Sequence, residues 1–482
     1  MGERFSRIYV DRVLEPSYRN WKRLYCADAM DVHKAHLVML RENGIVPPAV
    51  SEAIKRGIDA IEASCCWPDS IPDGAEDLYC VFEGKLELAA GAENAAWLHT
   101  ARSRNDMDTT VFRLALGRAL RGFLEELAAC CTACMERARA GVGELTVLFT
   151  HGQPANVSTM AHYLSGFLLE LLEGADALIH AMDSVDRCTL GACAITGTGF
   201  PIDRGRTARL LGFRAPVPNT YQAISTSHWL IRPASAMRLL LSDAARLAAD
   251  LLHKSSCEVG LVEFPDDLVQ SSSIMPQKRN PVVLEHIRIQ AGLATGVCFS
   301  IEDLFHGVPF QDVNEVADAP VTDLLDAIAT AGSCFALVAE TVYKLRSNAA
   351  RAREIAVAFG VTTTELADTM VRECGIGFRA AHRICSAFAR SRGDKAKLRA
   401  AFREATGADL AWTDSRIDEC LDPGRFIAVR RTAGGPAPEG MESVFAAAEA
   451  GLSRLRAALD ETRERNARAA RELATAWKGL AG

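Results

Sequence analysis

The chain has 482 residues, 49% hydrophobic and 24% charged. That composition excludes a disordered chain, which lacks the apolar mass for a core, and the length suffices for about three domains. Lys and Arg number 54 against 61 Asp and Glu, a net charge of −7, so no overall positive field is available for nucleic acid.

Fifteen cysteines occur singly or in apolar helical runs, as at Cys130, Cys131 and Cys134. In a chain this long they read as small buried thiols in a reducing compartment rather than a disulfide framework. Cys131 and Cys134 have no second ligand pair at zinc spacing, so no metal site is expected. No run reaches about 18 uninterrupted apolar residues, so no membrane-crossing helix is expected. The opening Met-Gly-Glu-Arg-Phe-Ser has no apolar signal-peptide core, and the expected location is the cytoplasm.

Apolar residues recur at spacings of three and four, which predicts long helices. The first long one spans 106–140, with Val111, Leu116, Leu120, Phe123, Leu124 and Leu127. A second covers 158–182, and a third covers 233–254, with Pro233 at its first position. Two more cover 281–304 and 320–346. Helices apolar around most of their circumference need neighbours on several sides, which predicts an all-α bundle extended by partner subunits. Breaks rich in Gly, Pro, Asp and Asn fall near 68–75, 141–157, 197–219, 264–281 and 306–319. The expected division is an N-terminal helical domain (1–105), a central long-helix bundle (106–350) and a small C-terminal helical domain (351–482). Arg425-Phe-Ile-Ala-Val-Arg430 is a short strand candidate.

Three polar segments interrupt this framework. Leu98-His-Thr-Ala-Arg-Ser-Arg-Asn-Asp106 sets Arg102, Ser103, Arg104 and Asn105 just before a long helix. These groups suit a carboxylate, both of whose oxygens an arginine can grip. They equally suit a helix start capped by Asn105 or Asp106, with the arginines in solvent. Leu148-Phe-Thr-His-Gly-Gln-Pro-Ala-Asn156 puts Thr150, His151 and Gln153 in a loop between two long helices, where His151 is either an acid–base group or a structural histidine. Gln270-Ser-Ser-Ser-Ile-Met-Pro-Gln-Lys-Arg-Asn-Pro-Val-Val-Leu-Glu285 is the most informative. Asn280 and Pro281 read as a helix cap followed by a first-turn proline. Lys278 then lies beside a helix N-terminus that favours anions, Glu285 sits one turn inside, and the serine run has the make-up of a closing loop.

These segments resemble the signatures of the fumarase/aspartase superfamily. Ser272-Ser-Ile-Met-Pro-Gln-Lys-Arg-Asn-Pro281 is similar to the superfamily motif, and Gln277 resembles the argininosuccinate lyase branch. The 98–106 segment and Thr150-His151-x-Gln153-x-Ala155 resemble the other two signature regions of that branch. The resemblance implies an all-α homotetramer with active sites shared between subunits, no cofactor or metal, and reversible elimination of an amine from an N-succinyl adduct with release of fumarate. It implies Ser272 as general base, Lys278 and Asn280 as holders of the carboxylate that gains charge, and His151 paired with Glu285 as proton donor to the leaving nitrogen. It gives Ser103, Arg104, Asn105, Thr150, Gln153, Ser273, Met275, Asn280 and Tyr79 as substrate-binding positions. Ser271 stands where the family usually has glycine. On the amine side the match fails. Tyr79, after Glu76-Asp-Leu, replaces a substrate-facing histidine. Pro309-Phe-Gln-Asp-Val-Asn-Glu315 replaces the guanidinium-contacting segment, and Ser225-Thr-Ser-His-Trp229 replaces a Ser-Asp-Arg-Asp element. The expected substrate is therefore an N-substituted aspartate other than argininosuccinate.

Overall fold

The computed structural model describes residues 4–64, 66–316 and 318–480; Met1 to Glu3, part of the N-terminal segment read above, lie outside them. The architecture is all-α. Helix α1 (Cys26–Glu42) is followed, after further helices that include Pro48–Ser64 and Leu78–Ala90, by α2 (Arg104–Ala140), a hairpin of β1 (Leu145–Thr150) and β2 (Gln153–Thr159), and α3 (Met160–Met182). Then come α4 (His228–Lys254), a two-residue ladder of β3 (Gln270–Ser271) and β4 (Arg279–Asn280), α5 (Val282–Leu304), α6 (Asp318–Lys344) and, after a group of shorter helices, α7 (Pro438–Gly479).

Local chemistry fixes these starts and stops. Helix α2 opens where the Ser103 N–H donates to the Asp106 carboxylate at 2.8 Å, one half of a capping box. Helix α3 opens on Thr159, whose hydroxyl accepts from the His162 N–H at 3.2 Å. Helix α4 starts five residues before the expected Pro233, which therefore lies inside the helix. An interior proline costs about 3 kcal/mol. Trp229 and Leu230, both 0% exposed, offset this, since each fully buried large side chain contributes roughly 1.5–3 kcal/mol.

Helix α2 packs on α3 and α6, α4 on α3 and α5, and α5 on α6. Their facing residues form one continuous core that includes Cys130, Cys131 and Cys134. Helix α7 returns from the far end of the chain to lie along α2 and α3. Between α6 and α7, residues such as Leu366, Ile384, Phe388, Leu398 and Ile417 make a separate small core. Of the strand expected at 425–430, residues 425–428 instead belong to a helix, Pro423–Ala428, and Val429 and Arg430 follow its end. Asp422 accepts from the Arg425 N–H at 2.9 Å, and Pro423 occupies the first turn, a start signal that outweighs the β-prone Phe and Ile.

The expectation of no membrane-crossing helix stands, although two helices of the bundle meet the length and composition test that core helices share with membrane spans. Helix α5 and the helical stretch ending in α6 are long and apolar enough by length and composition to cross a membrane. Charged residues such as Arg288 and Glu302 break the uninterrupted runs without making the helix polar on average. Both helices pack within the bundle, and α5 leaves Ile289, Leu293 and Phe299 more than half exposed.

Candidate active site

The first polar segment forms the N-terminal tip of α2. Asp106 is fully buried there, and its second oxygen accepts from the Gly191 and Cys193 N–H groups, both at 2.8 Å. Burial raises its pKa to about 6 against those hydrogen bonds. Asp106 thus fixes the 190–193 turn against the helix tip. The Asn105 amide donates to the Ala194 carbonyl at 2.6 Å and to Asp312 at 3.3 Å. Arg104 is paired with Glu76 at 2.6 Å and with Asp77, so its guanidinium already grips two carboxylates. No spacing rule foresaw Glu76, Asp77 or Asp312 here, because each meets its partner across a long stretch of chain.

Arg102 does not face solvent. It is 5% exposed, donating to His33 Nδ1 at 3.0 Å and to the Tyr79 hydroxyl at 3.2 Å. His33 stacks on Phe82 with ring centroids 4.0 Å apart. Burial and the neighbouring guanidinium hold its pKa well below the usual imidazole range, which suits a neutral ring accepting from Arg102. The same network holds Tyr79, the residue expected to face substrate. Tyr79 is 6% exposed, and its hydroxyl is shared between Arg102 and His99 Nδ1, the latter at 2.8 Å. An aromatic ring after Leu78 buries itself against His33 and Phe82 instead of turning outward.

The second segment is not a simple loop but the tip of the β1–β2 hairpin. Thr150 pairs with Gln153, leaving His151 and Gly152 as the two turn residues, both at positive φ, +52° and +74°. A two-residue hairpin turn of this kind requires left-handed conformation at both positions. His151 tolerates it and Gly152 adopts it at no steric cost. Thr150, His151, Gly152 and Gln153 are all exposed. The overlooked signal was His-Gly between strand-length segments, a turn dipeptide hidden by the surrounding helical pattern.

The third segment forms a loop closed by the β3–β4 ladder, in which Gln270 pairs with Asn280 and Ser271 with Arg279. Asn280 does not cap α5. Its amide donates to the Gln270 carbonyl at 3.1 Å, tying the neck of the loop, and Pro281 takes the cap position. Within the loop the Ser272 hydroxyl accepts from the backbone N–H groups of Ile274 (3.3 Å) and Met275 (3.0 Å). Ser273, Met275 and Lys278 are exposed, and Glu285 projects from the first turn of α5, also exposed. Among the described residues Lys278 forms no ion pair, and no hydrogen bond joins His151 to Glu285.

Helix α2 keeps these groups apart. Its 37 residues extend about 55 Å at ~1.5 Å per residue. Ser103, Arg104 and Asn105 lie at its start. The hairpin follows its end, where the Gly141 carbonyl accepts from the Ala161 N–H. The 270–280 loop belongs to the hairpin end: buried Lys254, at the end of α4, donates to the Val147 carbonyl at 3.1 Å, and Arg279 anchors the loop to the Phe264 carbonyl at 2.8 Å. One chain therefore brings the second and third segments to one end of the bundle and leaves the first at the other.

Comparison with known proteins gives the class. A family described as lyase matches residues 16–296. Argininosuccinate lyase 2 of Agrobacterium fabrum is 34% identical over 98% of this chain and 96% of its own length. The argininosuccinate lyase of Methanosarcina acetivorans is 33% identical, over 87% of this chain and 86% of its own. Among solved structures, EDDS lyase in complex with formate superposes with a TM-score of 0.87 at 27% identity, covering 95% of this chain and 92% of that one. A class II fumarase from Schistosoma mansoni, with TM-score 0.69, 16% identity and coverage of 83% and 89%, shares the fold. Fold and relatives together define a carbon–nitrogen lyase that releases fumarate. The chain belongs to the fumarase/aspartase superfamily, in its argininosuccinate-lyase-like branch.

Proposed function

We propose that the enzyme eliminates an amine from an N-substituted L-aspartate other than argininosuccinate, such as an aminopolycarboxylate or another amine–fumarate adduct, through an aci-carboxylate intermediate. Ser272 takes the Cβ proton. The electron pair moves into the adjacent carboxylate, held by Lys278 and Asn280, and returns as the Cα–N bond breaks. His151, oriented by Glu285, gives the leaving nitrogen a proton. Ser103, Arg104, Asn105, Thr150, Gln153, Ser273 and Met275 bind the succinyl half.

The observation that carries this reading is the pair of backbone N–H groups on the Ser272 hydroxyl. A neutral serine is far too weak a base, and donors aimed at its oxygen favour the alkoxide. The separation along α2 supports sites built from several subunits of a homotetramer: Arg104 and Asn105 of one chain would meet the hairpin and serine loop of others, exchanging Glu76 and Asp77 for substrate carboxylate. Units divided near residues 105 and 350, and a cytoplasmic location, belong to the same proposal.

The substrate assignment rests on the amine side. Tyr79 is withdrawn into the Arg102 network, and Asp312 of the 309–315 segment stands beside Asn105. A neighbour in fold is named EDDS lyase, and a variant of it carries bound fumarate. The competing reading is argininosuccinate lyase itself, favoured by the 34% identity to a relative of that name over nearly the whole chain. Following the ultraviolet absorbance of fumarate with argininosuccinate and a panel of N-substituted aspartates decides between them. The expected result is poor turnover of argininosuccinate and efficient turnover of another adduct; argininosuccinate as the best substrate would establish the competing reading.

A further inference from the structure

A cleft of about 320 Å³ lies between α2, the segment after α3 and the start of α4. Its wall contains Arg113, which is 1% exposed. The guanidinium donates once, to the Ser184 carbonyl at 2.6 Å, and stacks over Trp229 at 4.9 Å. Its Nε has no acceptor, and neither has the indole Nε1 of the fully buried Trp229 in the same wall. Buried N–H groups are satisfied in the great majority of cases, so two orphaned donors in residues that line one cleft are unusual.

The charges around them are mostly positive. Arg187 and Arg232 line the cleft with His228, and among the described residues none of the three arginines is paired with a carboxylate. Arg232 reaches only His180 Nε2, at 3.3 Å. The one acidic group in the wall is Asp183, which leans toward His180 Nδ1 at 3.6 Å. Burial without a counter-ion lowers the Arg113 pKa to about 9. A buried cation of this kind calls for an anion.

We propose that this cleft binds a small dianion, carboxylate or phosphate, with Arg113 and Trp229 donating from the floor and Arg187 and Arg232 closing over it from the rim. Arginine forks and an indole N–H are donors only, so the ligand must present acceptor oxygens, and several cations together select a charge of two or more over chloride. The site uses none of the three polar segments, but it shares Thr226, His228 and Trp229 with the 225–229 element read above as lying on the amine side, and to that extent it rests on that reading.

The test uses the full-length wild-type protein and an Arg187→Gln/Arg232→Gln variant, whose changes sit at the rim and leave the core intact. Calorimetric titration is made with inorganic phosphate and with glutarate, in the absence of fumarate, against chloride at matched ionic strength, so that binding lost in the rim variant is told from binding at the lyase site. The proposal expects saturable binding of phosphate or glutarate by the wild type, with no such response to chloride and at least tenfold weaker binding by the variant. The preferred anion then tells phosphate ligands from dicarboxylates. Absence of saturable binding, as for a cleft holding only water, or equal affinity in wild type and variant, overturns it. Arg113→Met adds a further reading where it folds: it should abolish binding, and retained binding counts against the site.

Discussion

Ser271, Ser272 and Ser273 are chemically alike, and only the backbone around them distinguishes their roles. Ser271 is held in the β3–β4 ladder, whereas Ser272 receives two amide N–H groups on its hydroxyl. Ser272→Ala is expected to lower kcat by about 10²–10⁴-fold, the usual contribution of a positioned acid or base, while Ser271→Ala retains most activity; steady-state rates with the best substrate check this, and the reverse order removes Ser272 as base. A second residue-scale prediction concerns His33 and His36, both buried, with pKa values held well below the ordinary 6.5 chiefly by burial and secondarily by Arg102. The unfolded chain binds protons at these rings below pH 6.5 and the folded chain does not. Stability should therefore be fully present above pH 6.5 and fall as the pH drops below it, by about 1.4 kcal/mol per pH unit for each ring. Denaturant unfolding between pH 7 and 5 measures the slope, and His33→Phe, which keeps the stacking on Phe82, should reduce it.

The same distinction between local and distant partners governs the secondary elements. Long helices were legible because their apolar period repeats over many turns, and the starts of α2 and α3 followed from local caps. The His151–Gly152 hairpin was not, since two short strands between two long helices leave little periodic signal. The early start of α4 was hidden because Pro233 is an ordinary first-turn residue, and only burial of Trp229 and Leu230 moves it inward. Close helix contact was invisible too. Gly174 of α3 lies so near Leu240 of α4 that a Cβ there would collide with the leucine side chain. Gly174→Ala is expected to cost about 1–3 kcal/mol, as overpacking does, even though alanine is the better helix former; a lowered melting temperature checks it. At the hairpin tip, Gly152→Val should disturb the left-handed turn and depress kcat by misplacing His151, with circular dichroism of the helices unchanged.

For the whole molecule, the three polar segments were recognisable by residue type, but where each would lie was not, because their positions depend on the length of α2 and on contacts between distant parts of the chain, such as Asn105 with Asp312. Helix length is what separates the segments, and the proposed shared site follows from it. Two inactive variants, Asn105→Ala and Ser272→Ala, should regain part of their activity when unfolded together and refolded, since some mixed assemblies contain a site with neither change. Refolding each alone should give none, and a mixture as inactive as its components would place each site within one chain. The exposed apolar residues of α5 carry the companion prediction. Leu293→Glu puts a charge on a surface whose burial would otherwise favour association, and should yield smaller, inactive particles by light scattering.

A rod-like helix of about 55 Å also has a kinetic consequence. If no single chain can span the distance between its own halves of the chemistry, a solitary copy is catalytically mute. The rate per milligram would then fall as the enzyme is diluted past the point where copies part company, and return on concentration. A cell making only a little of this protein would gain disproportionately from making slightly more.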